Sequence, residues 1–239
     1  MVTIHVPLYR APAIRMTTLL AIDTSGALCS VALLHAAAEF ADTRHLVRQH
    51  NRVLLEMIDG LCARAGILPR ALERVAYVNG PGSFTGVRLA VAAVQGILVA
   101  TGARALGVST SRLLAAHAAA TPVRSVVTMV HSRANAWYLA GYERVSPAAA
   151  FERVHDDTLV DALPDWCVGY DACIGGLPAW WHGEAIAIEP DPQPGLTLLR
   201  LAAADMGSAA WSDVAGVLPV YVDGDHPWVP STPAPSSPE

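Results

Sequence analysis

One stretch, Asn79-Gly80-Pro81-Gly82-Ser83-Phe84-Thr85-Gly86-Val87-Arg88, limits what this chain can fold into more than any other. The β-branched and aromatic run 75–78 precedes it and reads as a buried strand. The apolar run 89–99 follows and has the length of about three helical turns. A strand, a loop with three glycines and a proline, and a helix start can together aim backbone N–H groups at an anion. Proline removes one donor and fixes one φ, while glycine permits tight turns and close approach of a neighbour. Ser83 or Thr85 is placed to cap the helix. The same residues also suit a plain strand-to-helix connection with no ligand, so the surroundings decide.

With 239 residues, 53% of them hydrophobic and 15% charged, the chain can bury a sizeable core as one large domain or two lobes. The run 89–99 is shorter than the roughly 20 residues of a membrane span and is broken by Gln95 and Gly96, so no membrane partner is expected. Residues 1–15 lack the apolar block of a signal peptide and are expected to form a flexible extension. Cys29, Cys62, Cys167 and Cys173 form no CxxC pair and are expected to be reduced core thiols of a cytoplasmic protein. All 16 basic residues are arginine, which removes a Walker-type phosphate lysine, a Schiff-base lysine and a lysine general base. Over residues 1–142, 13 arginines against 6 acids give +7; over 143–239, 3 against 15 give −12, which together make the net −5. No acid lies between Glu73 and Glu143. An arginine-bearing first half suits an acidic partner or RNA phosphates, although the six arginines in that gap are scattered and form no run.

The pattern over 18–22, 28–34 and 37–41 predicts three antiparallel strands, with Asp23-Thr24-Ser25-Gly26 turning between the first two. A carboxylate and two hydroxyls at a strand end suit a phosphate or a hydrated Mg²⁺, and equally suit a hairpin turn. From 46 to 65 the apolar pairs Leu46/Val47, Val53/Leu54, Met57/Ile58 and Leu61/Cys62 form a one-sided helical stripe, ended by Gly66. His45 and His50 are five residues apart, so no HxxxH metal pair exists and no metal site is expected. The helix over 85–101 is apolar all round and wants cover, from its own domain or from a partner. A strand over 104–108 and a helix to about 120 complete a β-β-β-α-β-α-β-α first lobe over 16–121. Thr121-Pro122 marks the boundary of a second, less regular lobe over 122–226. That lobe is predicted to have strands over 125–130 and 136–142, a helix over 156–163, a strand over 166–169 and a helix over 196–206. Residues 227–239, with five prolines and three serines, read as a disordered tail.

Three nucleotide or catalytic motifs fail: there is no Gly-Lys, Thr85 stands where G-x-G-x-x-G wants glycine, and no G-x-S-x-G spans 80–86. What fits is a β-β-β-α-β-α-β-α lobe opening on an Asp-Thr turn and followed by a strand-rich lobe, which is similar to the actin-like ATPase, or ribonuclease H-like, architecture. Each lobe would then be a mixed sheet flanked by helices, the second reduced. More closely, Leu20-Ala21-Ile22-Asp23-Thr24-Ser25, the loop 79–88 and Leu106-Gly107-Val108-Ser109-Thr110 together resemble the TsaB (YeaZ) family, and Arg48-Gln49-His50 resembles its Arg-Glu-His.

The resemblance implies a non-catalytic subunit for making threonylcarbamoyladenosine (t6A) in tRNA. It would pair with a catalytic TsaD-like paralogue through first-lobe helices, with a TsaE-like ATPase in the same pathway and tRNA met indirectly. The interface residues it implies are His50, Val53, Leu54, Met57, Arg88, Val91, Val94 and Gln95, and two copies could pair through the same helices. Asp23, Thr24, Ser25, Gly80, Gly82, Ser83, Thr85 and Gly86 form the candidate nucleotide or phosphate loops. No intrinsic cofactor is implied, ATP or ADP entering only at a site shared in the complex. The other class of function is a stand-alone actin-like ATP-dependent enzyme or metallopeptidase-like hydrolase. Against it stands His131-Ser132-Arg133 where the family carries Asp-Ala-Arg, since such kinases need a second-lobe carboxylate near this place. Asp171 and Asp223 are further departures from the family pattern.

Overall fold

The computed structural model describes residues 17–45, 50–133 and 135–222, with His50 and Asn51 described by backbone alone. The predicted extension and tail, Arg48-Gln49, the His50 side chain and Asp223 lie outside the described residues. The first lobe runs β1 (Leu19–Asp23), β2 (Leu28–His35), β3 (Ala38–His45), α1 (His50–Arg64), β4 (Arg74–Gly80), α2 (Phe84–Thr101), β5 (Arg104–Ser109) and α3 (Thr110–Ala118). The second contains β6 (Ser125–Arg133), β7 (Ala136–Glu143), β8 (Glu152–Val160), β9 (Ala172–Gly175) and β10 (Ile186–Ile188), and α4 (Pro194–Ala204) follows.

The first sheet has the order β3-β2-β1-β4-β5 and the second β10-β9-β6-β7-β8. In each, the first strand pairs antiparallel with the second and parallel with the fourth, so the two lobes repeat one topology. This is the two-lobed actin-like α/β fold expected from the element order. The alternation of side chains along a strand, with helices packed on both faces, explains why β1 is apolar from Leu19 to Ile22. Leu20 and Ile22 face one core with Leu54, Met57, Leu61, Val91 and Val94 from α1 and α2. Leu19 and Ala21 face another with Leu113, Leu198, Leu199 and Ala202 from α3 and α4. Helix α3 also presents Ala115 and Ala118 to Val126, Ala140 and Ile174 of the second sheet, so it is packed between the lobes.

The second lobe departs from its predicted outline. Residues 156–160 of the predicted helix 156–163 belong instead to β8, which pairs with β7, because Thr158 and Val160 suit an extended edge better than a helix. The predicted strand 166–169 is a 3₁₀ turn, Asp165–Cys167. Strands β9 and β10, too short for a periodicity signal, were not predicted. No α-helix lies between β8 and β10; the outer face of that sheet is covered by Trp137, Trp166, Tyr170, Trp180 and Trp181. Helix α4 and the chain after it return to the first lobe, where Ser212 bridges to Ala105 and Val217 enters the core, so the second lobe ends before the assigned 226. All four cysteines are buried free thiols, and burial raises Cys29 to about 11 and Cys167 to about 12.

The connection between the lobes is held by Arg144, which is buried yet meets no carboxylate among its hydrogen bonds. Its guanidinium donates to the carbonyls of Val123 (2.7 Å), Ala119 (3.2 Å), Pro147 (2.8 Å) and Thr121 and lies over the Phe151 ring. Four carbonyls around the end of α3 and the lobe linker thus depend on one side chain. Arg144→Met is expected to lower the unfolding free energy by about 2–4 kcal/mol, since it strands those acceptors in a dry site. Urea denaturation of the two proteins measures the difference.

Candidate functional site

The two candidate loops meet each other. Ser25 N (2.9 Å) and Oγ (2.7 Å) both donate to Asp23 Oδ1, closing the turn after β1 into a compact unit. Ser83 N donates to Ser25 O at 2.7 Å, and Thr24 Oγ1 donates to Gly86 O at 2.7 Å. Contact is so close that a Cβ on Gly82 would stand 2.7 Å from Ser25 O, and one on Gly86 only 1.9 Å from Thr24 O. Ser83, rather than Thr85, caps α2 by accepting from Gly86 N at 3.3 Å. Asp23, Thr24 and Ser25 are buried. A phosphate between these loops would have to displace the backbone of Gly82 and Gly86, so the residues present do not fit one there.

Gly80 closes β4 with φ +112°, a value suited to glycine, and a Cβ there would approach Val220 O to 2.9 Å. That carbonyl belongs to a strap, residues 217–222, laid across the loop. Gln95 Nε2 donates to Val217 O (2.9 Å), Leu218 N to Tyr77 Oη (3.2 Å) and Val220 N to Asn79 O (2.8 Å). The Arg88 guanidinium stacks 3.3 Å from the Phe84 ring centroid and donates to Tyr221 Oη at 2.8 and 3.2 Å.

The implied interface residues divide. Leu54 (1% exposed), Met57 (1%), Val91 (7%) and Val94 (0%) lie in the first-lobe core. As corrections, these four are core residues, because the i, i+3, i+4 stripe that looks like a docking face is the face laid on the sheet. Val53 is half-buried against the same core, while Arg88 and Gln95 turn toward the strap. Helix α1 exposes Leu55 (62%), and α2 exposes Val99 (76%) with Ala92 and Gly96. Among the described residues, helix α2 therefore has one face without cover. At 18 residues it is long and apolar enough to cross a membrane by length and composition alone, a test that the core helix of a soluble protein also passes, and 33% of it is buried.

In the second lobe His131 stacks edge-on against Trp137 and supplies no carboxylate at the end of β6. Asp171 instead accepts from Arg124 N (2.7 Å) and Ser125 N (3.1 Å), which holds its carboxyl below the usual range and fastens the start of β6. The carboxylate that sequence reasoning missed is Asp157 on β8. Ser111 Oγ (2.8 Å) and Arg153 (3.1 Å) donate to its Oδ2, Tyr142 Oη lies 3.1 Å from Ser111 Oγ, and Asp157 Oδ1 is buried without a hydrogen bond. It sits at the first turn of α3, where the positive end of the helix dipole favours an anion. A helix predicted over 156–163 hid it, and only the register of β8 shows which way it faces. Among the described residues no three His, Cys, Asp or Glu side chains gather as a metal site.

Residues 44–158 match the model of a protein family described as TsaD: tRNA N6-adenosine threonylcarbamoyltransferase. The chain is 36% identical over 126 residues to the tRNA threonylcarbamoyladenosine biosynthesis protein TsaB of Haemophilus influenzae, 52% of each chain. It is 32% identical over 127 residues to the protein of that name from Escherichia coli, 53% of this chain and 55% of that one. The chain thus spans about half the length of the curated relatives it matches. In three dimensions it is similar to the solved structure of YeaZ from Pseudomonas aeruginosa, with a TM-score of 0.74 at 28% identity over 87% of this chain and 100% of that one. A second structure, described as an uncharacterized protein with similarity to peptidase YeaZ from Pseudomonas aeruginosa, gives 0.75 at 29% with the same coverage.

Gly86→Ala is expected to cost about 3 kcal/mol or more, because its Cβ meets backbone that cannot yield. Gly96→Ala, with nothing within 4 Å, should instead gain about 0.5–1 kcal/mol. Urea unfolding of both variants separates a close-packed glycine from an open one. Burial raises the Asp157 carboxyl above 3.8, opposed by Ser111 and Arg153, so the folded chain holds that proton more tightly than the unfolded one. Its stabilising effect is full below pH 3.8 and is lost as pH rises through the raised folded-state value. Asp157→Asn is expected to abolish that slope, so its stability relative to the parent rises above pH 3.8 and then levels off in a pH series of unfolding curves.

Proposed function

We propose, from its similarity to TsaB (YeaZ) proteins in sequence and fold, that this chain is the non-catalytic scaffold subunit of a t6A-modifying threonylcarbamoyl transferase. It pairs with a catalytic TsaD-like paralogue through the outward side of α1 and α2. The single observation that carries this is the open face of α2: an apolar helix whose inner residues satisfy the sheet and whose Ala92, Gly96 and Val99, like Leu55 of α1, are left exposed by the described residues. The match of residues 44–158 to the TsaD family supports a partner of like fold, since related folds readily pair through equivalent faces.

The closed contact between the two loops supports a role without turnover of its own. ATP or ADP belongs, on this reading, to a site completed by the partner, a TsaE-like ATPase serves the same pathway, and tRNA is met through the catalytic subunit. The work is cytoplasmic, and in isolation two copies pair through the uncovered face.

Co-purification with the organism's TsaD homologue tests the proposal. Leu55→Arg and Val99→Arg, both at exposed positions, are expected to leave the thermal unfolding of the isolated chain within a few degrees of the parent and to abolish association. Failure of the unaltered chain to associate, together with ATP turnover by this chain alone, overturns it.

A further inference from the structure

We propose that the strap, residues 217–222, is part of the same docking surface, and that Arg88, set in place by Tyr221, recognises a carboxylate on the paralogous partner; this rests on the pairing proposed above. The strap's backbone is fixed, through Val217 in the core and the bonds from Gln95, to Tyr77 and to Asn79. Its side chains point elsewhere: Leu218, Val220 and Tyr221 are about half exposed, and so is Phe84 at the adjoining start of α2. Four large apolar groups therefore extend the open face of α2 around its N-terminal end.

Arg88 stands among them, its charge unanswered by any of the described residues. It stacks on Phe84 and donates twice to Tyr221 Oη, and among the described residues no carboxylate pairs with it. A hydroxyl orients a guanidinium without neutralising it, and the planar fork keeps further N–H donors free for a second acceptor. Burying such a group under a partner is costly unless that partner brings an anion, and the arginine fork matches a carboxylate with two parallel hydrogen bonds. No Asp or Glu occurs between Glu73 and Glu143, so no acid neighbours Arg88 along its own stretch of chain; Asp223, two positions after Tyr221, lies outside the described residues. The partner this surface fits is thus an apolar helical face with an acidic side chain opposite Arg88.

The test titrates the full chain against the TsaD-type paralogue of the same organism at low and high salt, with each variant first shown to be folded by thermal melting. Arg88→Gln is expected to weaken binding by about 10–100-fold and to flatten its salt dependence. Arg88→Lys should keep the salt dependence while binding more weakly than the parent. Tyr221→Phe and Leu218→Ser should each weaken binding by about 3–10-fold with the salt dependence unchanged. If Arg88→Gln and Leu218→Ser bind within twofold of the parent while Leu55→Arg does not bind, the pairing stands and the strap has no part in it. If Leu55→Arg binds like the parent too, or the parent does not bind, the pairing falls and this proposal with it.

Discussion

Where Gly86 passes Thr24, two pieces of backbone approach more closely than any residue with a Cβ allows, and the first lobe is assembled on that contact. Thr24 Oγ1 to Gly86 O and Ser83 N to Ser25 O join the end of β1 to the start of α2. This sets the angle at which α2 leaves the loop, and so which of its residues face the sheet. Donors and acceptors that would serve a phosphate are spent on holding the protein to itself. A Gly-rich loop between a strand and a helix is compatible with a ligand cradle, but here the glycines admit backbone.

From that junction follow the two faces of α2. Ala90, Val91, Val94 and Leu98 complete the core, while Ala92, Gly96 and Val99 are left outside. The strap then crosses the loop and clasps Arg88, so that the open face continues past the helix end. The arginine excess of the first half resolves into separate local tasks rather than one basic patch. Arg44 pairs with Asp42 and Glu56 and Arg112 with Asp205, while Arg74 lies over the Trp211 ring; in the second half Arg200 pairs with Glu39 of the first. Arg144 closes the lobe linker through carbonyls alone.

The first lobe was legible because its elements are long and their periods clear: β1, β2, α1, β4, α2, β5 and α3 all fall where the apolar pattern puts them. The second lobe was not, because short strands such as β9 and the edge strand β10 carry too few residues for a period, and two adjacent aspartates in β8 mimic a helix start. The interface residues were misassigned for a different reason. An amphipathic stripe shows that a helix has an apolar face, yet Leu54 and Met57 look the same in sequence whether that face meets a sheet or a partner.

By itself the sequence determined the strand and helix order of the first lobe, a cap at either Ser83 or Thr85, the absence of a metal pair at helical spacing and the need for glycine in the loop. These depend on local propensity and on periods of two or 3.6 residues, which neighbours in the chain suffice to express. Tertiary structure alone decided what the glycines of the loop are for. Whether Gly82 and Gly86 admit an anion or another backbone depends on Thr24 and Ser25, some sixty positions away in the chain, and on how closely they approach once both elements are packed. The same holds for Arg88, whose partner Tyr221 lies beyond the whole second lobe and is brought back by α4 and the strap.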